Sequence, residues 1–111
     1  MSAPLDLEVL ARLETVIAAR RGADPVSSHT ARLLSRGPVK CAEKFGEEAI
    51  EAVIAGAAQD DAALTAEAAD AIYHLLVLLA AREVPLSAVL AELARREGVS
   101  GVDEKAARPD G

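Results

Sequence analysis

The chain has 111 residues, a length that supports a single hydrophobic core and leaves too little for two. Its residues are 51% hydrophobic but only 2% aromatic, so any core is built from Ala, Leu, Val and Ile, and recognition of bases by aromatic stacking is excluded. Eighteen acidic against twelve basic residues give a net charge of −6, which removes any general attraction toward nucleic acid, and the single cysteine cannot form an internal disulfide.

Apolar residues Leu7, Leu10, Leu13 and Ile17 recur at helical spacing, predicting a first helix over 6–21 with Asp6 as its N-cap. Gly22 to Ser28 has loop composition, and Thr30 to Ser35 is long enough for one or two helical turns. Gly37 breaks the chain and Pro38 suits the first turn of a second helix over 38–57. On a wheel at about 100° per residue, Lys40, Lys44, Glu48 and Glu51 gather around Glu47. Val39, Ala42, Phe45, Ala49, Ile50, Val53 and Ile54 are assigned to the opposite, apolar half.

Acidic residues before Ala62 suit the capping of a third helix over 62–82, whose second half is apolar nearly all round. A helix apolar on every side must be buried on every side, and so short a chain can scarcely enclose one, which predicts a homodimer. The most apolar run, within 71–81, is far shorter than the ~20 residues a bilayer crossing requires. The start of the chain lacks the basic and apolar pattern of a secretory signal. With one unpaired cysteine, these features predict a cytoplasmic protein with no membrane or nucleic-acid partner. Glu83 to Pro85 ends the third helix, Leu86, Val89, Leu90 and Leu93 predict a fourth over 86–96, and 98–111 reads as a tail.

Two carboxylate pairs carry the chemistry: Glu48 with Glu51 on the second helix, and Glu67 with Asp70 on the third, each spaced so that both side chains share a face. The stretch between them lets the chain turn and run back antiparallel, bringing the pairs opposite each other with Glu47 as a fifth acid. Such a cluster repels itself unless a cation occupies its middle, and an all-oxygen donor set suits Mg²⁺ first and Mn²⁺ second. The alternative is a solvated acidic face with pairs such as Lys44 and Glu48 as surface decoration. Against it stands the position of Glu67 and Asp70, immediately before an unbroken apolar run. One cysteine and two histidines do not assemble a zinc site.

The strings Lys44-Phe-Gly-Glu47-Glu48-Ala-Ile-Glu51 and Glu67-Ala-Ala-Asp70-Ala-Ile-Tyr73-His74-Leu-Leu strongly resemble the phosphoribosyl-ATP pyrophosphatase family of histidine biosynthesis. The resemblance covers most of the chain. It includes Ser28-His29-Thr30-Ala-Arg32, where His29 replaces the Tyr more usual in the family, and Glu104-Lys105-Ala-Ala-Arg108 near the end. The acidic pairs alone are shared with a wider MazG-like group of all-helical nucleotide pyrophosphatases. The resemblance implies an all-α, four- to five-helix MazG-like bundle completed by homodimerisation. It also implies Mg²⁺-dependent hydrolysis of 1-(5-phospho-β-D-ribosyl)-ATP to the AMP compound and pyrophosphate.

By analogy with that superfamily Glu48, Glu51, Glu67 and Asp70 are the metal ligands, and Glu47 is either a further ligand or the group that orients or deprotonates the attacking water, with Glu47 and Glu48 the catalytic candidates. Lys40, Lys44, His74, Ser28, Thr30, Arg32, Lys105 and Arg108 are the substrate-binding candidates. Each has a plainer reading: charge balance for the lysines, a structural histidine for His74, and an exposed terminus for Lys105 and Arg108. His29 reads as loop surface. Two other functions share parts of the pattern: a general (d)NTP pyrophosphatase, which keeps the acids but not the pathway, and a non-enzymatic helical dimerisation module.

Overall fold

The computed structural model describes residues 4–99 and 108. Five helices follow in order: α1 (Glu8–Ala19), α2 (His29–Ser35), α3 (Pro38–Ala58), α4 (Asp61–Ala81) and α5 (Leu86–Arg95), with no strand among the described residues. The all-α class read from the sequence is thus observed. The predicted helices lie within a few residues of α1, α3, α4 and α5, and the Thr30 to Ser35 segment is a helix that begins at His29.

Local chemistry sets the helix ends. Asp6 is not the N-cap of α1, as the sequence reading had it; Leu7 occupies that position, and the Asp6 carboxylate accepts the Glu8 amide at 3.1 Å. A free amide of the first turn is satisfied all the same, from one residue further out. Ser28 caps α2, its Oγ accepting from the Ala31 amide at 3.1 Å. Gly37 stands at φ 89°, a conformation that costs glycine little, and delivers Pro38 to the first turn of α3. Asp60 caps α4 by accepting the Ala63 amide at 2.9 Å. At its other end α4 closes with paired bonds, Glu83 amide to Ala80 carbonyl and Val84 amide to Leu79 carbonyl, around a left-handed Glu83 at φ 56°.

The long helices α3 and α4 form an antiparallel hairpin, and α1 and α2 pack against α4. The core is small: Ile17, Leu33, Leu34, Cys41, Leu76 and Val77, with Leu10, Leu13, Tyr73 and Leu86 packed around it. Cys41 is buried and its thiol donates to the Leu33 carbonyl at 3.3 Å, so it serves as the small packing residue its context predicts. Two long-range polar contacts tie the outer pieces down. Glu14 accepts the first amide of α5, at Leu86, at 2.7 Å, and the Arg21 guanidinium donates to the Ala80 carbonyl.

A further expectation is corrected. It concerns α3, for which the wheel assigned Val39, Ile50, Val53 and Ile54 to the packed half. In the protomer these four are 77%, 58%, 64% and 44% exposed. The stripe that turns inward is instead Cys41, Phe45, Glu48, Ala52 and Ala55. These positions recur at three- and four-residue steps, and Ile54, two turns beyond Glu47, shares Glu47's side rather than opposing it. By length and composition alone α4, 21 residues long with an 18-residue window of mean hydropathy 1.5, is also long and apolar enough to cross a membrane. It carries Glu67, Asp70 and His74 and packs against α1, α2 and α3.

Candidate functional site

The acids meet where α3 and α4 face each other. Glu48 on the inward stripe of α3 and Glu67 and Asp70 on α4 each bring a carboxylate oxygen to within 4.8 Å of the other two. The i to i+3 spacing on α4 puts Glu67 and Asp70 on one side, and the antiparallel hairpin places Glu48 across from them. Three carboxylates this close repel one another. Partial burial, reinforced by the charges of Asp70, Glu51 and Glu48, holds the Glu67 carboxyl above its ordinary range. Glu51, one turn along α3 and outside the tight triad, thus remains near enough for its charge to act on Glu67.

The donor set is oxygen only and, with Lys44 paired to Glu48, still carries excess negative charge, which is the composition a hard divalent ion requires. Lys44 stands at the edge. Its ammonium pairs with Glu47 at 3.3 Å and Glu48 at 3.6 Å, and the hydrogen bond to Glu47 is the chief cause of a pKa raised above the ordinary lysine value. Glu47 is exposed and engaged with Lys44 rather than joined to the triad. Lys40 pairs with Glu43 at 3.6 Å, one step away from these acids.

The α2 segment lies against α4 beside this cluster. The Thr30 hydroxyl contacts the Tyr73 hydroxyl, and Arg32 donates from Nη2 to His29 Nδ1 at 3.2 Å. His74 is 7% exposed, stacks edge-on with Tyr73 at 4.8 Å between centroids, and donates from Nδ1 to the Asp70 carbonyl at 2.9 Å. Its Nε2 is buried with no partner among the described residues. The His29 ring lies 6.3 Å from that of His74 at 76°, and burial together with Arg32, His74 and Lys44 holds its pKa below the usual value. His29, which read as loop surface, therefore stands beside the candidate site. The signal that could have placed it is its helical neighbour Arg32, three residues on.

Lys105 lies outside the described residues, and Arg108 is exposed. A groove of about 660 Å³ between α1, α4 and the Glu83–Pro85 turn contains none of the candidate residues.

An all-helical protomer with a carboxylate cluster able to hold a metal ion, set across an antiparallel hairpin, is the arrangement of a helical pyrophosphohydrolase. A model of the phosphoribosyl-ATP pyrophosphohydrolase family matches residues 10–97, and the chain belongs to that family. Relatives named phosphoribosyl-ATP pyrophosphatase include one from Dinoroseobacter shibae, 68% identical over 92% of this chain and the whole of that protein. One from Cereibacter sphaeroides is 63% identical over 92% of this chain and 99% of its own length. Another, from Ruegeria pomeroyi, is 61% identical over 95% of this chain and all of its own.

Proposed function

We propose that the protein hydrolyses 1-(5-phospho-β-D-ribosyl)-ATP to 1-(5-phospho-β-D-ribosyl)-AMP and pyrophosphate, the second step of histidine biosynthesis, with Mg²⁺ held at the α3–α4 acids. Water adds at the α-phosphorus, the bond from that phosphorus to the α,β-bridging oxygen breaks, and pyrophosphate leaves. The observation that carries this reading is the triad of Glu48, Glu67 and Asp70, three oxygen donors within 4.8 Å of one another, in a chain of this family.

Glu48, Glu67 and Asp70 fit as metal ligands, with Glu51 adding charge from the next turn. A bound Mg²⁺ supplies neutralisation of the triphosphate and a lowered pKa for water. Glu47, exposed and paired with Lys44, is our candidate to orient or accept a proton from the attacking water, and Lys44 our candidate to meet a phosphate oxygen. His74, donating to the Asp70 carbonyl, steadies the backbone that carries that ligand. Thr30, in contact with Tyr73, and Arg32, paired with His29, are the substrate-binding candidates of α2, whereas Ser28 acts through its cap. Lys40 remains a substrate-binding candidate on its wheel position beside the acids, and Lys105 and Arg108 remain so on the strength of the resemblance.

The same reading takes the protein as a cytoplasmic homodimer that binds neither nucleic acid nor membrane. Support for the dimer comes from α3, where Val39, Ile50 and Val53 leave an apolar face uncovered on a protomer whose buried core is small.

The test is pyrophosphate release by the purified protein from phosphoribosyl-ATP, with and without Mg²⁺, beside ATP and a panel of dNTPs. Mg²⁺-dependent turnover confined to phosphoribosyl-ATP is the expected result. Preferential turnover of dNTPs overturns the pathway assignment in favour of a general nucleotide pyrophosphatase, and no turnover of any substrate returns the acids to the surface.

A further inference from the structure

The acids and their ion account for a phosphate chain, but not for the basic groups gathered at the start of α2. The Ser28 cap and the contact between the Thr30 and Tyr73 hydroxyls hold His29 in place against α4. Arg32 then determines what the His29 ring offers. A guanidinium has only donors, so His29 Nδ1 must accept from it, and the neutral ring carries its proton on Nε2. Its pKa is lowered, first by partial burial and then by the nearby Arg32, His74 and Lys44, which favours the neutral ring. His29 itself is exposed.

An N–H donor flanked by Arg32 and Lys44 suits an anionic oxygen group. Lys44 also pairs with Glu47 and Glu48, so this seat adjoins the acidic triad and meets it at Glu48. The second half of the pattern is His74. Because its Nδ1 donates to the Asp70 carbonyl, its buried Nε2 is a lone-pair acceptor in the neutral ring, and it has no donor. The His29 ring lies 6.3 Å from that of His74 between centroids, so a ligand held at His29 brings a hydroxyl into the neighbourhood of this unpaired acceptor. A phosphate with a hydroxyl close by is a sugar phosphate; a phosphoanhydride chain brings the charge without the hydroxyl.

Resting on the function proposed above, we propose that His29, with Arg32 and Lys44, seats the sugar-phosphate end of the substrate outside the metal centre, making His29 a specificity-determining residue that contacts substrate.

Metal-free protein in EDTA is titrated with ribose 5-phosphate and, separately, with inorganic pyrophosphate, following the ring resonances of His29 and His74 by NMR. Ribose 5-phosphate is expected to shift both rings saturably and to bind about tenfold more tightly than pyrophosphate, the worth of one charged hydrogen bond. Arg32→Gln should weaken it by about the same factor. The control Arg12→Gln, at a residue paired with Asp6 away from the site, should not. An absent or unsaturable shift, or pyrophosphate binding as tightly, overturns the proposal.

With Mg²⁺ and phosphoribosyl-ATP, His29→Ala should raise KM about tenfold and leave kcat within about twofold. His29→Gln, which keeps an N–H donor, should recover most of that loss. A fall in kcat at unchanged KM overturns the assignment. The titration needs no turnover, so an inactive wild-type protein would defeat the proposed reaction while leaving this seat open to its own result.

Discussion

The two long helices carry matching acid pairs but treat them in opposite ways. On α3 the inward stripe includes Glu48, and the bulky apolar residues Val39, Ile50 and Val53 face outward. On α4 the apolar residues Leu76 and Val77 are buried at one end, while Glu67 and Asp70 occupy the other half of the same helix. So α4 separates its chemistry from its packing along the axis, and α3 separates them around it. Packing within the protomer therefore rests on α4, whereas α3 holds its site on the face it buries and its unspent apolar surface on the other. Substitutions on each helix should separate activity, folding and association.

The largest effects belong to the triad. Glu48→Gln or Asp70→Asn should lower turnover of phosphoribosyl-ATP by about a thousandfold, the several kcal/mol that a correctly held ion contributes. The metal-free fold should be as stable as the wild type or more so, because one of three mutually repelling charges is gone. Glu67 shows the sign. Its folded-state pKa is raised, so its contribution to stability is fully present below the ordinary carboxylate value and is lost as pH rises through the folded-state value. In EDTA, melting of the wild type should therefore fall relative to Glu67→Gln as pH is taken from acid to neutral. Equal pH dependence of the two proteins would show that the acids do not repel as described, and a loss of helicity in Asp70→Asn would mean it supports the fold.

Leu76→Asp reads the packed end of α4. Leu76 is 4% exposed in the core cluster, so an unpaired carboxylate there should cost about 4 kcal/mol or more and unfold a domain of this size, with any dimer lost alongside. A soluble, folded and active protein in circular dichroism and turnover assays would contradict the placement of this residue. Val53→Asp is the counterpart on α3. At 64% exposure its aspartate is solvated in the single chain, so helicity should persist while, for the homodimer proposed above, sedimentation shifts from dimer to monomer. An unchanged sedimentation coefficient would place the association face elsewhere.

These contrasts mark how far the sequence could be read. Helix number and limits were legible because Gly37, Pro38, Asp60 and Pro85 punctuate strong periodic runs. The acid pairs were legible because their i to i+3 spacing is a local property. Which side of α3 turns inward was not, since it depends on what α4 presents. Small residues at Cys41, Ala52 and Ala55 allow close helix approach, which outweighs the larger apolar bulk of Ile50 and Val53 within one protomer. His29 was likewise unreadable: its neighbours His74 and Lys44 come from two other helices, and only Arg32 is near it in sequence. The same holds for Lys40, which the wheel put with the site acids and which pairs with Glu43.

The smallest effects separate two caps of equal chemistry. Ser28 and Asp60 each accept one amide of the first turn, at 3.1 Å and 2.9 Å, and replacing either by Ala should cost about 1 kcal/mol. For a domain of this size that lowers the melting temperature by about 4 °C. Their consequences for substrate should differ, because Asp60 opens a helix that Asp61 through Ala81 stabilises over many turns, whereas Ser28 opens one only seven residues long. Fraying the first turn of α2 releases His29 and loosens its bond from Arg32; fraying that of α4 leaves Glu67 and Asp70 a turn or more inside the helix. Ser28→Ala should thus raise KM for phosphoribosyl-ATP several-fold with little change in kcat, and Asp60→Ala should match its loss of stability without moving KM. Equal KM values for the two variants would mean that the order of α2 does not matter to substrate and that the Ser28 hydroxyl serves stability alone.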